Sequence, residues 1–171
     1  MKKEEHQSLG YDYDFVGGEF NTYIFETTQN IFYEIKFKPF FYLFDPESIY
    51  SNHTFEFGMG VLSNSSTKLP PPDSQIPITV ASVFIDFFER VTEPLVIYIC
   101  DSSDSKQLAR QRKFNSWFSE FKRPEFFKIE ANLLDKNGEP IPSSLILKTS
   151  NPFFMQIIEE FKMIIEGYSG K

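Results

Sequence analysis

Segment 99–118, ICDSSDSKQLARQRKFNSWF, holds many of the side chains in this chain that could do chemistry, including the only cysteine and the only tryptophan. A cysteine that ends a strand and precedes a short loop and a helix is the arrangement of a phosphatase loop. In such a loop the thiolate attacks phosphorus, while backbone N–H groups and an arginine six positions further on hold the phosphate. Here Lys106 stands at that position, and Asp101 and Asp104 would repel the phosphate. We therefore interpret Cys100 as a buried thiol that packs as a small apolar residue.

A second catalytic pattern lies in the same segment, where Ser103 and Lys106 stand three residues apart at the start of a predicted helix. Penicillin-binding enzymes use this spacing to let a lysine activate a serine. Their companion Ser-Asp-Asn and Lys-Thr-Gly elements are missing from this chain. A helix cap formed by Ser103, Asp104 or Ser105 explains the same residues more simply.

Metal-dependent chemistry has two weak candidates. Glu34 and Lys36, with an aspartate earlier in the chain, have the spacing of a nuclease that holds a metal between carboxylates. The solvent-exposed face of an antiparallel strand produces the same residue pattern, and we favour that interpretation. Asp101 and Asp104 could hold Mg²⁺ as a pair, but two carboxylates without a third ligand make a weak site. The sequence therefore predicts neither a metal site nor a cofactor.

The helix that follows Asp104 is predicted to turn an aromatic face towards the core, and Arg110 falls on that same face. A core-facing arginine needs a carboxylate or an external anion, because an unpaired buried charge costs several kcal/mol. The favoured interpretation is a structural bridge to Asp101, with Asp104 as the helix cap or the alternative partner. In the alternative, Asp101, Asp104, Lys106 and Arg110 form an anion-binding site. The aromatic face consists of Phe114, Trp117, Phe118 and Phe121.

Composition limits the classes of function. A chain of 171 residues, 41% of them hydrophobic and 24% charged, is typical of one folded domain. Its net charge of −7 repels nucleic acid, so we expect no nucleic-acid partner. With no signal peptide or membrane-length apolar run, we expect a cytoplasmic protein that contacts no membrane. The densest basic cluster consists of Lys106, Arg110, Arg112 and Lys113.

Hydrophobic periodicity predicts an α+β fold, in which a mainly antiparallel sheet is packed by about three helices. We expect a flexible tail over residues 1–10 and a single α+β domain over residues 11–168. The sheet should comprise an N-terminal meander, a central strand over 95–100 that is buried on both faces, and a C-terminal hairpin. Because Pro140 and Pro142 cannot donate hydrogen bonds, the second arm of that hairpin is predicted to be an edge strand at best.

Three stretches carry a resemblance to a known family: the strand LVIYICD, the segment SSDSKQLARQRKFNSWF that follows it, and the aromatic pair YDYDF and YIFETTQNIFYEIKF. They resemble a small bacterial family known as domain of unknown function number 6169. The resemblance implies one compact bacterial domain and lends it no activity. The positions that the resemblance marks as signature-like are Asp101, Asp104, Arg110, Phe114, Trp117 and Phe118.

These observations favour a non-enzymatic protein that binds a protein partner or a second copy of itself. The 21 phenylalanines and 8 tyrosines can fill a core from few positions and still leave an aromatic patch for a partner. The alternative is an enzyme that acts on a phosphate-bearing or nucleic-acid substrate through segment 101–110. A third hypothesis, by analogy alone, is a component of a toxin–antitoxin or phage-defence pair.

Overall fold

A computed structural model describes residues 10–66, 68–101 and 103–169 of the chain. The predicted flexible tail lies, apart from Gly10, outside these residues. The described residues form a seven-stranded sheet and three helices, which confirms the α+β class. The strands are β1 (Tyr13–Gly17), β2 (Thr22–Glu26), β3 (Ile31–Pro39), β4 (Thr54–Asn64), β5 (Leu95–Ile99), β6 (Phe126–Leu134) and β7 (Pro140–Lys148), and the helices are α1 (Gln75–Arg90), α2 (Gln107–Phe121) and α3 (Phe154–Ser169).

The sheet has the strand order β1-β2-β3-β4-β5-β7-β6. The pair β4–β5 is parallel and is connected through α1, whereas every other neighbouring pair is antiparallel. The turn between β1 and β2 requires glycine, because Gly17 and Gly18 have φ angles of +75° and +77°. No helix among the described residues is long and apolar enough to cross a membrane.

Two hydrophobic cores lie on opposite faces of the sheet. Alternate residues of β5 belong to different cores, since Val96 packs under α1 and α2 while Leu95 and Ile97 pack under α3. All three side chains are fully buried. The prediction of a central strand buried on both faces is therefore confirmed.

Helix α1 covers the first core and packs through stacked aromatic rings. The rings of Phe87 and Phe37 lie parallel, with their centroids 3.9 Å apart, and neither is exposed. On the neighbouring strand β2, the hydroxyl of the buried Tyr23 donates a hydrogen bond of 2.7 Å to Asp86 of α1. Asp86 also pairs with Arg90 one helical turn later, so the edge of the sheet is tied to α1 by polar contacts as well as by ring packing.

The second core lies under α3, which begins at Phe154, two residues after Pro152. The Phe153 N–H donates a 2.9 Å hydrogen bond to the Asn151 side chain, which satisfies a backbone donor just before the first turn. Ile157, Ile158 and Phe161 of α3 are buried, as the helical spacing of the apolar residues predicts.

The prediction that the second hairpin arm is an edge strand is wrong. Strand β7 lies between β5 and β6, and β6 is the edge strand. The prolines are tolerated because pairing with β5 reaches only Ser143, which lies opposite Ile99. Beyond that point the Pro142 carbonyl accepts from the Cys100 N–H at 2.9 Å, a bond that needs no donor from either proline.

Candidate functional site

The polar residues predicted at the start of α2 come together in one hydrogen-bonded cluster. The Arg110 guanidinium pairs in a bidentate manner with the Asp104 carboxylate, with one Nη1–Oδ1 distance of 2.8 Å. Arg110 Nη1 also donates to the backbone carbonyl of Asp101 at 2.9 Å. The Asp101 carboxylate instead accepts from the N–H and the hydroxyl of Ser103, at 2.9 and 2.7 Å. The carboxylate partner of Arg110 is thus Asp104, and Asp101 contributes only its main chain.

Asp104 also accepts from the backbone of the turn before α2, but the predicted helix cap is wrong, because the N-cap residue of α2 is Lys106 and no side chain caps it. Asp104 Oδ1 accepts a 3.1 Å hydrogen bond from the Lys106 N–H while the same carboxylate binds Arg110. The hydrogen bonds from Arg110 are the main reason that the pKa of Asp104 falls to about 2. At neutral pH the pair is therefore fully charged.

The expectation of a buried Arg110 needs correction. The Arg110 side chain is 38% exposed, and the Asp104 side chain is 41% exposed. Helical periodicity gives the side of the helix from which Arg110 extends, but not how far the sheet reaches beneath it. The guanidinium extends towards the loop before α2 and borders an open cavity, so water reaches both partners.

Cys100 lies at the end of β5 with 1% of its surface exposed. Burial raises the pKa of its thiol and outweighs the lowering effects of Tyr98 and Arg110. Burial also raises the pKa of Tyr98. Both groups are therefore neutral at neutral pH, and a neutral, inaccessible thiol is a poor nucleophile.

A cavity of about 280 Å³ opens between α2 and the ends of β3, β4 and β5. It continues into a shallower depression of about 920 Å³ along residues 69–77, and the two share Tyr33, Ile76, Lys113 and Trp117. We call the combined surface the aromatic groove. Its aromatic lining consists of Tyr33, Phe57, Tyr98, Phe114 and Trp117.

The floor of the aromatic groove is held by ring contacts between β4, β5 and α2. Phe57 and Tyr98 lie opposite each other in the parallel pair β4–β5, with their ring centroids 5.6 Å apart. Phe114 packs on Tyr98 at 4.2 Å and is itself only 6% exposed. Because three elements converge on these rings, the floor is formed before any ligand arrives.

One rim of the groove is basic. Lys106, Arg110 and Lys113 recur at nearly one-turn intervals along α2, and the last two line the cavity. Lys113 Nζ lies 5.1 Å from the centre of the Trp117 ring, a cation–π contact. Within the described part of the chain no carboxylate pairs with Lys113, so its charge faces the groove without a counterion.

The opposite rim is apolar. Leu69 is 87% exposed and Val61 is 47% exposed, and each lines part of the groove. Prolines 70–72 form the wall between them and α1. The Asp73 carboxylate lies on this wall and already accepts two hydrogen bonds. Its donors are the Tyr11 hydroxyl, at 2.5 Å, and a backbone N–H, at 2.9 Å.

Sequence reasoning placed Arg110, Phe114 and Trp117 correctly on one side of α2 but did not anticipate the groove beside them. Tyr33 and Phe57 come from strands far earlier in the chain. Their alternation with polar residues predicts burial, and that signal does not distinguish a core ring from a ring at a cavity wall.

The other candidates from the sequence do not gather into a site. Glu34 and Lys36 form an ion pair of 2.9 Å on the face of β3 opposite the first core. Across residues 10–66, 68–101 and 103–169, no three His, Cys, Asp or Glu side chains lie close enough to hold a metal ion.

Replacing Arg110 with alanine is expected to raise the pKa of Asp104 from about 2 towards its ordinary value of 3.8, because the hydrogen bonds from Arg110 are the largest cause of the shift. The melting temperature should fall by no more than about 2–4 °C, since an ion pair this exposed stabilises little. NMR titration of the Asp104 carboxyl and thermal unfolding measure the two effects.

The pH dependence of the bridge follows from the lowered pKa of Asp104. The bridge stabilises the fold above the ordinary carboxyl pKa, and that stabilisation is lost as the pH falls towards 2. Arg110→Ala should remove this acid-sensitive part of stability. Arg123→Ala is the control, because the Arg123 side chain forms an exposed ion pair with Glu125, at 3.7 Å, away from Asp104. An unchanged pKa of Asp104 in Arg110→Ala would contradict the bridge.

The fold and the groove together define an α+β protein with an aromatic groove, basic on one rim and apolar on the other. The chain belongs to the family described as Family of unknown function (DUF6169), whose model matches residues 72–163, just over half of the chain. This confirms the resemblance seen in the sequence. No curated protein and no solved structure matches the chain.

The matched residues begin before α1 and end within α3. They include the basic rim and the residues of α2 that line the groove. Tyr33 and Phe57, which complete the floor, precede them in the chain. The groove is thus built jointly by the matched residues and by β3 and β4.

Proposed function

We propose that the protein is a binding module whose aromatic groove receives an acidic segment of a partner protein, anchored by one hydrophobic side chain. The observation that carries this proposal is the pairing of an open aromatic cavity with Lys113, a cation that has no carboxylate partner among the described residues. A partner that supplies both an apolar anchor and a carboxylate satisfies the two features at once.

The size of the cavity supports a side chain as the anchor. Its volume of about 280 Å³ lies at the lower end of the range for drug-sized ligands. The shallower depression beside it leaves room for an extended backbone along residues 69–77. A single aromatic or aliphatic side chain in a desolvated pocket, surrounded by weaker contacts, is the usual organisation of a protein-binding hot spot.

The rims support a protein partner rather than a small metabolite. Exposed Leu69 and Val61 extend the apolar surface outside the cavity, where only a larger ligand would cover them. Prolines 70–72 restrict the backbone of the wall, which reduces the entropy lost when a partner orders it. Lys113 then sets orientation, since the acidic part of the segment must lie next to this cation on α2.

The alternative of a phosphate-directed enzyme receives less support from the same geometry. The Arg110 guanidinium is already bound to Asp104 and to the Asp101 carbonyl. Two carboxylates beside it would oppose a phosphate, and Cys100 is buried and protonated. No contact among the described residues favours a toxin–antitoxin or phage-defence role.

The single tryptophan makes the proposal testable, because Trp117 lines the groove and is the only source of tryptophan emission. The probe is the capped peptide Ac-Glu-Glu-Phe-Glu-Glu-NH₂. Saturable changes in Trp117 emission are expected, with a Kd on the order of 0.1–1 mM for so short a ligand. A peptide with lysine in place of each glutamate should bind at least about tenfold more weakly.

Charge reversal at the rim separates specific binding from general attraction. Lys113→Glu should weaken binding of the acidic peptide at least about tenfold. Lys162→Glu is the matched control, since Lys162 is exposed on α3, which covers the opposite face of the sheet, and should leave the Kd unchanged. No saturable response, equal binding of the two peptides, or an unchanged Kd in Lys113→Glu would each overturn the proposal.

A further inference from the structure

The edge strand β6 spans nine residues and pairs with no strand on its outer side among the residues that the structure describes. The Thr149 N–H donates to the Glu125 carbonyl and the Asp135 N–H to the Glu139 carbonyl, so odd-numbered residues face β7. Even-numbered residues therefore direct their N–H and C=O groups away from the sheet. Lys128 and Glu130 lie at the centre of this free edge.

The other edge of the sheet is protected in ways that β6 is not. Strand β1 spans only Tyr13–Gly17 and contains an irregularity between Phe15 and Gly17. Short length and irregular register are devices that block pairing at an edge. The long, regular β6 is thus the edge that is open to another strand.

We infer that a second copy of this chain pairs with β6, antiparallel and with Ile129 at the two-fold axis. This arrangement continues the sheet from one copy into the other. It is independent of the aromatic groove, which is lined by none of the β6 residues at the centre of this edge.

Backbone geometry and charge together select the register. Hydrogen bonding requires even-numbered residues to lie opposite even-numbered residues, because only they direct their backbone groups outwards. An axis at Lys128 would place two lysines opposite each other, and an axis at Glu130 would place two glutamates opposite each other. An axis at Ile129 places Lys128 of each copy opposite Glu130 of the other, which pairs opposite charges twice.

The side chains at the axis fit this register. Ile129 faces the second core and is only partly buried in one copy, so contact with the same residue of the second copy removes apolar surface from water. Lys128 is held close to the edge, with its Nζ 3.0 Å from Glu130 Oε1 and 2.5 Å from Asn115 Oδ1. Glu130 is 52% exposed and can accept from a second lysine.

Sedimentation or light scattering at 0.15 M salt tests the inference, a condition at which the −7 charge of each copy is largely screened. We expect a concentration-dependent doubling of the 20.0 kDa mass. Lys128→Glu and Glu130→Lys should each stay monomeric, because like charges then lie opposite each other. An equimolar mixture of the two variants should form a heterodimer, since each position again meets the opposite charge.

Glu130→Pro provides a test that does not depend on charge. It removes an outward-facing N–H and leaves the hydrogen bonds to β7 intact, so the dimer should be lost while the melting temperature of the monomer changes little. Lys136→Glu, in the exposed turn after β6, is the matched charge control and should remain dimeric. A monomeric native chain at all concentrations, a dimer that survives Glu130→Pro, or no complementation between the charge variants would overturn the inference.

Discussion

Phe87→Ala is expected to lower the free energy of unfolding by about 3–5 kcal/mol. Phe87 has no exposed surface, stacks on Phe37 at 3.9 Å and meets the edge of Phe55 at 5.2 Å. Its removal takes apolar area out of the core and leaves a cavity among rings that are fixed by three elements, so little collapse can compensate. Urea unfolding followed by circular dichroism gives the change in free energy.

Phe20→Ala is the matched control for Phe87→Ala. Phe20 is 40% exposed, so its truncation should cost less than about 1 kcal/mol. A loss below 1 kcal/mol in Phe87→Ala would contradict the packing of α1 on the sheet.

The sequence predicts burial well where burial depends on local periodicity. Ile31, Tyr33, Ile35 and Phe37 stand at every second position, opposite a face that carries Glu34, Lys36 and Lys38, and the structure buries all four on one face of β3. The apolar run of β5 predicts a central strand for the same reason, since only a strand covered on both faces lacks polar alternation. The buried residues of these strands can thus be predicted from the sequence of each strand alone.

Strand order was harder to predict, because it depends on where one strand ends against another. Pro140 and Pro142 indicate an edge strand only if a neighbouring strand reaches them. Strand β5 pairs only as far as Ser143, and the one bond beyond it uses the Pro142 carbonyl as acceptor, so β7 can lie inside the sheet without a donor from either proline. Proline content alone carries no information about the length of the neighbouring strand.

The aromatic groove could not be predicted from the sequence for a related reason. Tyr33 and Trp117 stand 84 positions apart and meet only after β3, β4, β5 and α2 have assembled. Arg110 likewise pairs with Asp104 rather than with the Asp101 carboxylate, because the turn before α2 brings both oxygens of Asp104 to the guanidinium while Ser103 occupies the Asp101 carboxylate. Both outcomes depend on distances that periodicity does not encode.

Phe161→Ala tests whether the two faces of the sheet unfold as one domain, as the sequence predicts. Phe161 is fully buried in the second core, so the free energy of unfolding should fall by about 3–5 kcal/mol. Because β5 and β7 supply side chains to both cores, loss of packing under α3 should also release the strands that support α2. Trp117 emission and far-ultraviolet circular dichroism should therefore report the same urea midpoint, although Trp117 lies on the other face.

Met163→Ala is the control on the same helix, since Met163 is 63% exposed and its truncation should shift the midpoint only slightly. Two separate transitions in Phe161→Ala, with Trp117 emission unchanged at the first, would show that α3 unfolds alone and would contradict the single domain. Coincident transitions would instead mean that the central strands couple the two cores, so that a substitution under α3 weakens the support of the groove-lining rings on the opposite face.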